Sequence, residues 1–355
     1  MWNFFETINK RDDFDRYLND RYGSWPEFIR PYLATFSIIR DFDIVHIPVS
    51  GGFLGATPAR FFECQLYHMA GMKVVVLPFG GDAYCYHKIK NAAWQHGLLC
   101  SYPAFAADPN VIEERLRYWE KHADAIIPGS MGGDGFSRWD VLTPSPLVID
   151  TKQWKAKGKY SNADGKNEEV TICHAPNHRG CKGTEFVIHA VDQLRAEGLK
   201  VKLLLLEELP NEQVLACFHD EADIIVEQIL FAGYAMTAME GMATGLPVMG
   251  NVRHGDYAET LRWFSFLAEC PVVAVTPDTL KAKLRELIIS PKLRQELGQA
   301  GRRYVEKYHS FESARNLFGA VYKRIWYGEQ VDLINLFHPL MDEMSGRTAQ
   351  NKEAV

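Results

Sequence analysis

The chain has 355 residues, a formal net charge of −6, 47% hydrophobic residues and 24% charged residues. That length exceeds one typical core and predicts two domains, and the composition is that of an ordinary globular protein. The acidic balance, with no zinc-finger, KH or RRM signature, excludes a general nucleic-acid binder, and no apolar run approaches the roughly 20 residues that span a bilayer.

In chain order, "MWNFFETINKRDDFDRYLND" has no basic segment leading into an apolar core, so no secretory leader is expected. The aromatic-rich "WPEFIRPYLATFSII" (25–39) predicts a helix packed in the core, with a peripheral membrane contact as the alternative. Strands are predicted at "DIVHIPV" (43–49), "KVVVLPF" (73–79) and "DAIIPGS" (124–130). The polar, turn-rich stretch 150–169 reads as the linker. Beyond it come "EVTICHAP" (169–176), "KVKLLLLEE" (200–208), "DIIVEQ" (223–228), "PVMGN" (247–251) and "PVVAVT" (271–276). Amphipathic patterns such as "GTEFVIHAVDQLRAEG" and "TLKAKLRELIIS" lie between these strands, and the tail beyond about 340 is polar and expected to fray. β-Branched runs without strict alternation predict parallel strands buried on both faces, and alternation with helices predicts an α/β fold. Seven scattered cysteines with no CxxC fit reduced thiols in a cytoplasm.

Two stretches carry chemistry. In "CHAPNHRGCKGTEF" (173–186) a strand ends, and Arg179 and Lys182 stand where a helix begins. The helix dipole disfavours cations there, so the pair predicts an anion such as a phosphate or diphosphate at that terminus. Thr184 reads as the N-cap and Gly183 as a point of close backbone approach. In "EQILFAGYAMTAMEGMATGLPVMGN" (227–251) a post-strand loop leads into a short helix whose one carboxylate, Glu240, stands among small residues and methionines. A buried carboxylate needs partners, and a ribose diol would supply two hydroxyl donors. Ordinary backbone hydrogen bonding is the alternative for Glu240, and core filling the alternative for Tyr234. Cys173, Cys181, His174 and His178 match no standard zinc spacing, and Arg179 and Lys182 would repel a cation.

These motifs, with "GRRYVEKYHSFESA" further on, resemble glycosyltransferases of the GT-B fold, and more narrowly the retaining family 4 (group 1) enzymes. The resemblance covers nearly the whole chain and is strongest over 170–325. It implies two doubly wound Rossmann-like domains with a cleft between them. An acceptor-side domain would cover 1–150 and a nucleotide-sugar domain 151–325, with a helix near 325–340 packing back on the first. It implies transfer of a sugar from a nucleotide-diphosphate donor to an acceptor hydroxyl, in surface-glycan or glycoconjugate biosynthesis. The acceptor would be a glycan, a lipid-linked molecule or a protein, and the enzyme is expected in the cytoplasm, with the inner face of the membrane as the alternative place.

By the same resemblance Arg179, Lys182 and Asp82 are the expected catalytic residues. His174, Gly183, Thr184, Gln228, Tyr234, Ala235, Met236, Thr237 and Glu240 would bind the donor, with Gly51, Gly52 and His87 on the acceptor side. No metal and no cofactor is expected, since cationic side chains and a helix terminus stabilise the departing diphosphate. Closure of the halves about the 150–169 linker would bring Asp82 and the glycine loop to the donor. The family's acidic residue eight positions before the ribose glutamate is replaced here by Ala232. A nucleotide-sugar 2-epimerase of the same fold and a non-catalytic accessory subunit are the alternatives.

Overall fold

A computed structural model describes residues 2–3, 15–132 and 134–341. The polar tail beyond 341 and residues 1 and 4–14 of the opening stretch lie outside the described residues. All eight strands anticipated above form, and all are parallel. The first sheet has the order β1 (Ile44–Ile47), β2 (Lys73–Val76), β3 (Ala125–Ile126). The second comprises β4 (Val170–His174), β5 (Val201–Leu205), β6 (Ile224–Val226), β7 (Val248–Gly250) and β8 (Val273–Ala274), in the order β8-β7-β6-β4-β5. Trp2–Asn3 and Arg16–Tyr17 add a small parallel ribbon.

The helices that position the site are α1 (Arg30–Asp41), α2 (Ala92–Ser101), the one-turn α3 (Arg179–Lys182), α4 (Thr184–Ala196), α5 (Met236–Thr244), α6 (Pro291–Tyr308) and α7 (Phe311–Ile325). Alternate residues of the second sheet serve opposite faces. Ile224 and Val226 pack with Val187 and Val191 of α4, while Ile225 packs with Met239 and Met242 of α5. Burial on both faces is why these strands read as unbroken apolar runs. In the first sheet Val74 and Val76 face Tyr67 and Trp119, and Val75 and Ile127 face Leu317 and Val321 of α7. The chain thus returns to cover its first sheet. The element that does so is α7 followed by a looped segment ending near Phe337; the helix expected near 325–340 does not form.

Two further expectations need correction. The stretch 150–169 is strapped to the second half: Arg302 donates to the carbonyls of Thr151, Trp154 and Ala243, Arg294 donates to Ser161 and Ala163, and Trp154 is buried. Guanidinium groups, buried in Arg294 and half-buried in Arg302, that satisfy backbone carbonyls hold the segment down, so 150–169 is not a free hinge. Around α1 it is Ala34, Thr35 and Ser37 that turn inward, leaving Phe28 74% and Phe36 69% exposed. The aromatic stripe is not core. Among the described residues no helix is long and apolar enough to cross a membrane.

Candidate active site

In the second sheet the strand order reverses between β4 and β6, and parallel sheets bind ligands outside the carboxyl ends of strands at such a switch point. The loop after β4 leads into α3 with Arg179 and Lys182, and the residues directly after β6 are Glu227 and Gln228. Lys182 is nearly buried; its Nζ lies 2.5 Å from Glu227 Oε1 and 2.8 Å from Gln228 Oε1. Gln228 Nε2 donates to the Gly233 carbonyl and so ties the lysine to the loop before α5. The other oxygen, Glu227 Oε2, is buried without a hydrogen-bond partner. Orphaned buried carboxylate oxygens are costly and mark a place where a ligand or water completes the structure.

Glu240 belongs to the same cluster. Burial pushes its carboxyl up to about 7; the hydrogen bond from Asn211 opposes that shift, nearby Glu227 adds to it and Lys182 counters it. Asn211 Nδ2 donates to Glu240 Oε1 at 3.1 Å. Arg179 sits at the exposed rim on Glu185 and Glu207, which hold its guanidinium firmly charged. The loop 207–211 therefore contacts the site twice. It also contains Glu208, the single non-glycine residue with positive φ (55°) among those described. Local strain of this kind collects at functional sites. Neither Asn211 nor Glu207 was anticipated from sequence; the signal was their place after β5.

At the start of α5 Ala235 occupies the N-cap, and no side chain caps the helix. Alanine is a poor cap, so the N–H groups of Met236 and Thr237 are left for an anion. Tyr234 points the other way: its ring is buried and its hydroxyl bridges Tyr304 (2.8 Å) and His309 (2.7 Å). It is a core residue, and only its backbone belongs to the loop.

His174 is corrected similarly. It is fully buried, Nδ1 donates to the Val226 carbonyl (2.7 Å) and Nε2 accepts from Thr184 (2.9 Å), while burial lowers its pKa to about 4. A neutral imidazole with both nitrogens engaged staples β4 to β6 and cannot reach a donor. Thr184 is consumed by that contact; it is the first residue of α4 and not the cap. Gly183 closes α3 in the left-handed region (φ 75°), where a Cβ would come within 2.6 Å of Ile229 Cγ1, so packing requires the glycine.

On the first half, Asp82 accepts from the backbone N–H of Phe79 (2.8 Å) and of Ser50 (3.1 Å), joining the loops after β2 and β1. Both carboxylate oxygens are engaged, so Asp82 positions a loop. Gly51 lies at φ 101°, and Gly52 N–H donates to Glu63 Oε2 at 2.9 Å. Glu63, buried beneath that loop and missed from sequence, also accepts from Leu54 and Tyr67. His87 turns to Glu113 at 3.2 Å. Cys85, His87 and Glu113 come within 4.8 Å of one another, but Arg117 and Lys88 already flank Glu113 and oppose a cation.

The halves meet directly beside this site. A Cβ on Gly97 of α2 would be 2.8 Å from the Gly180 carbonyl, Cys181 N–H donates to Ser101 Oγ, and Tyr102 hydroxyl meets His178 Nδ1 at 2.7 Å. Next to that contact, Trp94 and Ser130 of the first half face Phe231, Ala232, His254 and Tyr257 of the second across a cavity of about 280 Å³.

Two Rossmann-like parallel sheets, a cleft between their halves, and a cationic switch point beside an uncapped helix define a GT-B glycosyltransferase fold. Residues 166–304, in the second half of the chain, match the family of glycosyl transferases group 1. The chain is 28% identical over 242 residues to an MMP α-(1→4)-mannosyltransferase of Mycolicibacterium hassiacum, covering 58% of this chain and 56% of that one. The chain therefore spans little more than half the length of this curated relative. A solved trehalose-6-phosphate synthase shares the fold at a TM-score of 0.50, with 12% identity over 83% of this chain and 78% of that one.

Proposed function

We propose that the protein transfers a glycosyl group, with retention, from a nucleoside diphosphate sugar to a hydroxyl of a glycan, lipid-linked or protein acceptor during glycoconjugate assembly. The observation that carries this reading is the cluster of Lys182, Glu227, Gln228 and Glu240 beside the open N-terminus of α5. The diphosphate lies over the α5 N–H groups, Lys182 binds it from one side and Arg179 from the rim. The Glu240 carboxylate takes the ribose hydroxyls. As the anomeric C–O bond breaks, its electron pair leaves with the diphosphate, and these fixed charges stabilise the oxyanion without a resident metal.

Thermal-shift measurements against UDP, GDP, dTDP, ADP and CMP test the reading. One nucleoside diphosphate is expected to raise Tm by several degrees and to lose that effect in Lys182→Ala. A chain indifferent to all five contradicts it. A donor whose sugar is inverted at C2 without any acceptor would instead show an epimerase.

A further inference from the structure

A second cationic place lies on the first half, outside the diphosphate site. Arg60 and Arg115 border a depression at the loop 50–55, which leaves the carboxyl end of β1, and Tyr118 and Trp119 form its wall. The wall residues have spent their polar groups: Trp119 Nε1 donates to the Val49 carbonyl (2.9 Å), and the Tyr118 hydroxyl accepts from the Cys64 N–H and donates to Gln65. The guanidinium groups are not spent. Arg115 Nε is buried without a hydrogen-bond partner, whereas Arg117 on the same helix (Pro109–His122) is paired with Glu113. Buried donors left open in this way mark a place where a ligand or water completes the structure. Arg60 is exposed, with its guanidinium 4.8 Å from the centroid of the Phe61 ring. Among the described residues no carboxylate pairs with either arginine. Glu63 and Asp82, the carboxylates that hold this loop, are committed to the N–H groups of Gly52, Leu54, Ser50 and Phe79.

The free room is about 10 Å³, that of one water-sized group. A sugar ring therefore stays outside, and a single anionic oxygen is what enters. Two cations without counter-ions at one opening call for a dianion. A phosphomonoester meets both conditions: it carries close to two negative charges at neutral pH, and its oxygens suit the guanidinium fork. The depression is also tied to the cleft. Asp82 joins Ser50 to the turn Gly80–Ala83, that turn packs on Gly129–Gly132, and a Cβ on Gly233 of the second half would meet Ser130 Oγ at 2.7 Å. A group held by the arginines is thus anchored to the loops that adjoin the donor-side loop.

Resting on the glycosyl-transfer reading above, we propose that the acceptor is phosphorylated and that Arg60 and Arg115 bind its phosphate at this depression. One oxygen takes the Arg115 Nε–H inside, and the others meet Arg60 at the rim. The phosphate is bound and not transferred: it orients the acceptor, whose hydroxyl-bearing part is left to the cleft.

The test is binding to the full chain by calorimetry. The probes are glucose 6-phosphate, mannose 6-phosphate, glucose, glucuronate, and vesicles of phosphatidylcholine and phosphatidic acid in equal parts. A phosphate probe is expected to bind wild type, with Kd raised about tenfold or more in Arg115→Gln and in Arg60→Gln and raised less in Arg115→Lys. Arg115→Gln strands no partner, so its Tm and its thermal shift with the nucleoside diphosphate should match wild type. Arginine-dependent binding of the sugar phosphates places the group on a soluble acceptor, and arginine-dependent binding of the vesicles places it on a lipid; either supports the site. Phosphate probes that do not bind, that bind Arg115→Gln as tightly as wild type, or that bind no better than glucose or glucuronate overturn it. In that event a retained nucleotide shift leaves glycosyl transfer standing, and a wild-type chain indifferent to every nucleotide overturns the reading beneath it as well.

Discussion

Lys182 Nζ lies 2.5 Å from Glu227 Oε1, while the other oxygen of that buried carboxylate has no partner. The cation at the start of α3, which the helix dipole disfavours, is held by a carboxylate from the neighbouring strand end. That carboxylate in turn depends on the lysine. Removing one partner of a buried pair strands the other, at a cost of about 3–5 kcal/mol. Lys182→Met is therefore expected to lower unfolding stability by that order and to abolish nucleotide binding. Lys182→Met combined with Glu227→Leu should recover stability in urea unfolding but not binding.

Glu240 makes binding and stability depend on pH. Its carboxyl titrates near 7 in the folded chain against an ordinary 4.5, so the folded state holds the extra proton between those values. Stability then falls as pH rises from about 4.5 to 7, by roughly 3 kcal/mol for this group. Glu240→Gln should flatten that slope in urea unfolding series. Ribose hydroxyls need the ionised form, so affinity for the nucleotide should rise as pH increases through 7, with proton release seen by calorimetry in buffers of different ionisation enthalpy.

Tyr234 separates core from site. His309 donates from Nδ1 to the Leu147 carbonyl, so its Nε2 accepts from the Tyr234 hydroxyl, and burial keeps the ring neutral with a pKa near 4. Tyr234→Phe leaves that nitrogen buried and unsatisfied, a loss of about 1–3 kcal/mol. Thermal unfolding should show that loss while nucleotide Kd stays within a few-fold; a large change in Kd would return Tyr234 to the donor site.

The Gly97–Gly180 approach carries the contact between halves. A Cβ on Gly97 meets the Gly180 carbonyl at 2.8 Å, closer than real Cβ contacts. Gly97→Val should push α2 off α3, lower Tm by several degrees and increase the radius of gyration in small-angle scattering. An unchanged radius with full activity would show that the halves do not need this contact.

The sequence already showed the strands and the places where chemistry lies, because "EVTICHAP" and "DIIVEQ" end in polar residues at the carboxyl edge of a buried parallel sheet. It did not show which polar residue faces a ligand. His174 and Thr184 stand in the motif stretches yet spend their hydrogen bonds on each other and on β6, Tyr234 spends its hydroxyl on Tyr304 and His309, and Asp82 spends its oxygens on two loops. Conversely Glu227 and Asn211 gain meaning only through partners distant in sequence, Lys182 and Glu240. Burial and pairing are tertiary properties, and a single chain of letters carries them weakly.

A crystal structure with the nucleoside diphosphate selected by thermal shift tests the central claim most directly. The account predicts the phosphates over the N–H groups of Met236 and Thr237, within hydrogen-bond reach of Lys182 Nζ, and the ribose hydroxyls on Glu240. A nucleotide bound elsewhere, with Lys182 still closed on Glu227 and Glu240 touching only Asn211, would contradict it.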